Sequence, residues 1–234
     1  MTKGIMYVVA TPIGNLEDIT LRALNVLKES DLIACEDTRH SSILLSKYDI
    51  KTHAVSYFEI NKAKADRKID YLLKELLSGK NIALITDAGT PGISDPGQYL
   101  IQKAVEKDIE VVPVPGPSAF IAALSVSGFN DPSYFFIPFL PKKKGRQTML
   151  NFIKEFKSTI VFYESPQRIH KTLEELVTYI GERRKVVVCR ELTKQFEELF
   201  RGELSEATSY FSAKEKQRGE FVVVIKGYEK NNKG

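Results

Sequence analysis

A chain of 234 residues, 43% hydrophobic and 27% charged, has an ordinary globular composition and is long enough for one large or two modest cores. No apolar run approaches the roughly 20 residues of a membrane-spanning helix, and residues 1–4 lead straight into a strand pattern rather than a secretory leader. The net charge of +4 is unevenly divided: residues 1–118 carry 14 Lys and Arg against 16 Asp and Glu, whereas 119–234 carry 20 against 14. A basic second half suits either an anionic partner such as RNA or a solvated lysine-rich surface.

In chain order, the apolar run 5–10 predicts a first strand, followed by a helix over 21–28, a strand over 31–35, a helix over 41–48 and a strand near 53–57. Residues 62–78 form the clearest helical pattern, with Ile69, Leu72, Leu73, Leu76 and Leu77 on one face and Gly79 as its stop. A strand over 82–86 leads into the glycine-rich loop 87–97. Asp95 is expected to cap the next helix, 98–107, with Pro96 in its first turn. A strand over 109–114 completes the first half. Repeated βα units with continuously apolar strands predict an α/β fold with a mostly parallel sheet flanked by helices.

The prolines at 113, 115 and 117 begin a run of breakers that predicts a domain boundary between 118 and 134, giving domains 1–118 and 119–234. Beyond it come a strand over 134–139, a basic loop over 141–146, a helix over 147–156, a strand over 159–163, a helix over 167–180 and a strand over 185–190. Strands over 196–202 and 220–226 around a short helix near 205–213 predict a mixed sheet, and residues 230–234 a frayed tail. Cys35 and Cys189 sit inside apolar runs and are expected to be buried free thiols in a reducing cytoplasm.

Several chemistries lack their motifs. There is no phosphate-binding Gly-x-x-x-x-Gly-Lys-Ser/Thr, no Gly-x-Gly-x-x-Gly after the first strand and no Gly-x-Ser-x-Gly elbow. His40, His53 and His170 are too dispersed for a zinc site, so no metal is expected. What the chain offers is three turns after strands, 11–15, 87–97 and 115–119, rich in glycine, proline and exposed backbone polar groups. In a parallel sheet these converge at one edge, where a ligand would be held mainly by main-chain groups.

The segments YVVATPIGNLEDITLRA (7–23), CEDTRH (35–40), DAGTPGISDPG (87–97) and VPGPSA (114–119) resemble the tetrapyrrole methylase superfamily. Within it they look like the ribosomal RNA small subunit methyltransferase I family. FLPKKKG (139–145), FYESPQR (162–168), CRELTK (189–194) and GEF (219–221) extend the likeness over nearly the whole chain. The resemblance implies two α/β domains with S-adenosylmethionine in the cleft between them. It also implies methylation of a cytidine ribose 2′-hydroxyl in small-subunit rRNA, and a homodimer. The positions it assigns to the cofactor are Pro12, Ile13, Gly89, Thr90, Ile93, Ser94, Ser118, Ala119, Tyr163, Leu192 and Glu220. Many superfamily members carry Gly-Asp-Pro where this chain has Gly89-Thr90-Pro91, a departure that points away from a porphyrinoid substrate.

A ribose hydroxyl is a weak nucleophile, so a base or hydrogen-bond acceptor beside it would help. Glu36, Asp37, Glu164 and Glu191 all lie at predicted strand ends. Asp37 with Arg39 is the first choice, a carboxylate to orient the hydroxyl and a guanidinium to grip a phosphate, although Asp37 could equally cap the next helix. Lys142, Lys143, Lys144 and Arg146 form the densest basic cluster and are the candidate RNA contacts, against the alternative of a solvated loop. A methyltransferase acting on a small molecule or protein, and a non-enzymatic RNA-binding relative, are the competing readings.

Overall fold

The structure is a computed structural model that describes residues 2–229. The tail expected to fray at 230–234 lies outside the described residues. One compact unit ends at Ser118 and a second begins at Ala119.

The first unit is a five-stranded sheet of β1 (Ile5–Val9), β2 (Leu32–Cys35), β3 (Ala54–Ser56), β4 (Ile82–Leu84) and β5 (Glu110–Val114), in the order β3-β2-β4-β1-β5. Every pairing is parallel. Helices α1 (Leu21–Glu29), α2 (Thr38–Lys47), α3 (Lys62–Leu77) and α4 (Gln98–Val105) make the crossovers that parallel strands require. Both faces are therefore covered. Ile82 and Leu84 belong to one core with Met6, Leu72 and Leu76, while the alternating Ala83 and Ile85 belong to another with Val9, Leu27 and Leu44. This two-sided burial is why the strands read as unbroken apolar runs.

Local chemistry sets the helix ends. The Asn61 side chain caps α3 by accepting from the Lys64 amide, and Gly79 follows its end at φ +100. Ile69, Leu72, Leu73 and Leu76 of α3 are buried, each worth roughly 1.5–3 kcal/mol. Leu77 is not on that face: it lies about 100° around the helix from Leu76 and remains partly exposed. Helix α2 starts earlier than the sequence pattern predicts, because Asp37 accepts from the Arg39 amide and nucleates the first turn at Thr38. Helix α4 is capped by Gly97 at φ +114, without a side-chain cap, so Asp95 does not take the expected capping role.

The second unit contains α5 (Ala119–Ser125), β6 (Tyr134–Phe139), α6 (Arg146–Glu155), β7 (Thr159–Glu164), α7 (Ile169–Ile180), β8 (Lys185–Arg190), β9 (Glu198–Glu203), α8 (Leu204–Tyr210) and β10 (Phe221–Ile225). Its sheet runs β6-β7-β10-β8-β9. Only β6 and β7 are parallel; β10 is antiparallel to both neighbours and β8 to β9, so the sheet is mixed. Central β10 is buried along its whole length. Residues 194–197 turn instead of extending, as the Lys194 amide donates to the Glu191 carbonyl and the Glu197 amide to that of Lys194. That delays β9 to Glu198.

Candidate active site

The sheet order makes β4, β1 and β5 neighbours, so the turns that follow them meet at one edge of the first unit. Thr11 and Gly89 form an isolated antiparallel bridge, with N–H···O distances of 2.9 and 3.1 Å. The Thr11 hydroxyl also donates to the Thr86 carbonyl at 3.1 Å, and the Thr90 hydroxyl to that of Pro117 at 3.3 Å. The first turn is thus tied to the long loop, and the long loop to the third turn.

Within the loop, Gly89, Gly92 and Gly97 have φ of +83, +80 and +114, and Ser94 +70. Gly89 is the informative position. A Cβ there would lie 3.7 Å from Ile13 Cγ2 and 3.5 Å from Asp95 Oδ2, in the space between those side chains. The bare backbone leaves a cradle that a methyl would fill. Pro12 is buried beside it, Ile13 and Thr90 are half-buried, and Ile93 and Ser94 are exposed on the outer bend. Ser118 ends the third turn, and Ala119 opens α5.

The same edge is acidic. The Asp87 amide donates to Glu36 Oε2, and the Asp37 amide to Asp87 Oδ1, both at 3.3 Å. Burial pushes the Glu36 carboxyl above its ordinary pKa, and the nearby Asp87 charge adds to the effect. Asp37 behaves oppositely. Arg39 Nη2 lies 2.6 Å from its carboxylate and holds the pKa at about 2. A residue without motif signal also belongs to this region. The Tyr57 hydroxyl is buried with no hydrogen-bond partner among the described residues, and it lies 3.5 Å from where a Cβ on Gly97 would sit. Burial, and then the Glu36 and Asp95 charges, push its pKa up.

These features fit S-adenosylmethionine. An acidic rim complements a sulfonium and an ammonium, the glycine cradle admits close backbone approach, and an orphaned buried hydroxyl offers a polar contact.

In the second unit Tyr163, Leu192 and Glu220 share one end of three adjacent strands. Tyr163 pairs with Val222, and Val222 with Cys189. The Glu191 amide donates to the Glu220 carbonyl at 2.9 Å, and the Glu220 amide to Glu191 Oε1 at 2.8 Å. Leu192 is buried between Glu191 and Thr193, both at positive φ. Burial raises the Glu191 pKa, but the Glu220 amide and Lys194 outweigh it and the net shift is downward.

Two sequence candidates occupy different places from those expected. Glu164 is buried, accepts from the Ser165 amide and the Thr172 hydroxyl at 2.7 Å, and lies 3.2 Å from Arg168. With its oxygens committed and no solvent access, it cannot serve as a base. Arg146 is also buried: it pairs with Glu175, donates to Thr172 at 2.9 Å and holds the Pro141 carbonyl at 3.0 Å. Its guanidinium is therefore not presented to a phosphate. Lys142, Lys143 and Lys144 are exposed, with no ion pair among the described residues. Among those residues, no cluster of three or more His, Cys, Asp or Glu is placed to hold a metal, and no helix is long and apolar enough to cross a membrane. Cys35 and Cys189 are free and buried, and burial raises both thiol pKa values, that of Cys189 to about 12.

A family model described as Tetrapyrrole (Corrin/Porphyrin) Methylases matches residues 6–208. A protein of Thermotoga maritima named ribosomal RNA small subunit methyltransferase I is 48% identical over 97% of this chain and 100% of its own length. One of the same name from Halalkalibacterium halodurans is 46% identical over 96% of this chain and 76% of its own. Among solved structures, a cobalt precorrin-4 methyltransferase of cobalamin biosynthesis is similar at a TM-score of 0.71 and 16% identity, covering 95% of this chain and 94% of that one. The structural likeness carries the fold, and the long, near-half-identical matches carry the branch: the chain belongs to the tetrapyrrole methylase family and, within it, to the S-adenosylmethionine-dependent methyltransferases of the ribosomal RNA small subunit methyltransferase I group.

Proposed function

We propose that this enzyme methylates the 2′-hydroxyl of a cytidine ribose in small-subunit ribosomal RNA, acting in the cytoplasm as a homodimer. The observation that carries the substrate is the near-half identity, over almost the full chain, to enzymes named for small-subunit rRNA. The exposed lysines at 142–144, without an ion pair among the described residues, support it as phosphate contacts. In this reading residues 1–118 are the principal cofactor domain and 119–234 the principal RNA domain.

S-adenosylmethionine supplies an activated methyl group on a sulfonium that is its own leaving group. The protein's task is then alignment and exclusion of water. In this reading Pro12, Ile13, Gly89, Thr90, Ile93, Ser94 and Ser118 of the first unit contact the cofactor, and Ala119, Tyr163, Leu192 and Glu220 are the residues of the second unit assigned to it. Asp37 and Arg39 face the substrate as a unit. With its pKa near 2, Asp37 accepts a hydrogen bond rather than a proton, and it steers the exposed Arg39 guanidinium toward a phosphate. Glu36, with its raised pKa, is the better proton acceptor on this edge.

The test is incubation of the protein with radiolabelled S-adenosylmethionine and small ribosomal subunits from a strain lacking the enzyme, followed by mapping of ribose methylation. Label should appear at a single cytidine 2′-oxygen. Label absent from the rRNA would overturn the assignment.

A further inference from the structure

Strand β6 is an edge strand, paired only with β7. Phe136 opposes Val161 and Ile137 opposes Phe162; the register then shifts, so that Phe139 rather than Pro138 opposes Tyr163. Pro138 is the inserted residue. It has no amide hydrogen to give a ladder, which makes an edge-strand bulge the place for it. Side chains alternate across a strand, so one inserted residue moves Phe139 onto the face that carries Phe136 and Tyr134.

On that face the rings form a continuous series. Phe120 stacks on Phe136 with centroids 4.3 Å apart and an interplanar angle of 19°. Phe136 meets the edge of Tyr163 at 5.3 Å, and Tyr163 meets Phe139 at 5.8 Å. The series ends at Phe139, which is 50% exposed.

The two carbonyls beyond this ring are each held by an arginine. Arg168 Nη2 donates to the Leu140 carbonyl at 2.8 Å and Arg146 Nη1 to that of Pro141 at 3.0 Å. Both arginines are fixed in turn by Glu164 and Glu175. An exposed aromatic ring is followed at once by the three exposed lysines, which have no ion pair among the described residues.

We propose that Phe139 is a stacking platform for an unpaired base of the RNA substrate, with Lys142–Lys144 neutralising the adjoining phosphates. The inference rests on the rRNA reading above and goes beyond it by naming the residue that engages a base. An aromatic platform beside a row of cations is the pattern by which proteins hold single strands, and every base offers a face to stack. A second copy of this chain fits less well. A two-fold contact centred on Phe139 would bring both sets of lysines together.

The experiment uses the full chain with Phe139→Leu and Phe139→Trp. The chain has no tryptophan, so Phe139→Trp places a single indole, excited selectively over the tyrosines, on the platform. Phe139→Leu should raise the KM for small ribosomal subunits about 5- to 150-fold, the range for loss of one stacked base, with kcat and S-adenosylmethionine affinity unchanged. Phe139→Trp should keep the parental KM, and its emission should be quenched by a short single-stranded RNA of mixed sequence. An unchanged KM in Phe139→Leu overturns the proposal. So does a Phe139→Trp enzyme that methylates subunits without quenching, or one whose emission follows protein concentration without RNA, which would place the ring between copies. If the parental protein fails to methylate subunits, the rRNA reading falls and takes this inference with it. An active parent with indifferent Phe139 variants sinks the inference alone.

Discussion

Thr11 and Gly89 exchange both of their backbone hydrogen bonds, so the turn after the first strand and the loop after the fourth form one wall. Each turn read singly is an ordinary connection. Joined, they fix the backbone around a gap that only the absence of a side chain keeps open.

Gly89→Ala tests that gap. At φ +83 an alanine is strained by about 1–2 kcal/mol, and its methyl would occupy the space between Ile13 and Asp95. Thermal unfolding should show the modest destabilisation, and calorimetry a loss of S-adenosylmethionine affinity of about tenfold or more. Full affinity in a folded variant would remove Gly89 from the cofactor site.

The lysines and Arg146 should separate in their effects. Replacing Lys142, Lys143 and Lys144 together by Gln should lower the slope of log affinity against log salt for single-stranded RNA by about 2, at about 0.7 per phosphate contact, without changing stability. Arg146→Gln should leave that slope nearly intact and cost about 3 kcal/mol, because Glu175 loses its partner beside a buried Thr172. Filter binding over a salt series and urea denaturation read the two quantities.

Glu164→Ala should behave as a structural lesion. It removes the acceptor of the Thr172 hydroxyl and the counter-charge of the Arg168 guanidinium, with an expected cost of about 3–5 kcal/mol in urea. A variant of parental stability that has lost kcat would instead return Glu164 to the candidate bases.

Acid should weaken the second unit through Glu198. Burial raises its pKa, but hydrogen bonds from Lys216, Tyr210 and Arg190 outweigh this and hold it at about 2. A depressed carboxylate pKa stabilises fully above the unfolded value of about 4.3 and loses that contribution as pH falls toward 2. Glu198→Gln should therefore cost about 1–2 kcal/mol at pH 7, after discount for partial exposure, and progressively less below pH 4. A parallel offset of the two stability curves down to pH 2 would contradict this.

The sequence by itself determined the order and kind of nearly every element, because strand and helix periodicities and breakers are local signals. Two-sided burial explains the apolar runs of β2 and β4, and the face of α3 is legible except at Leu77, one position off the stripe. The gathering of the three turns at one edge also follows from sequence, since parallel strands must end at a common edge. Only the tertiary structure decided which charged side chains stay in water. Arg146 stands beside three lysines in the chain, yet Thr172 and Glu175 from α7 draw it inward. Glu164 has the sequence position of a strand-end carboxylate, but the same helix covers it. Nothing local marks Tyr57, whose buried hydroxyl has no hydrogen-bond partner among the described residues, nor the Pro138 bulge, which exists only as a register between two strands. Backbone preference is written residue by residue, whereas burial, pairing and register are properties of contacts between segments far apart in the chain.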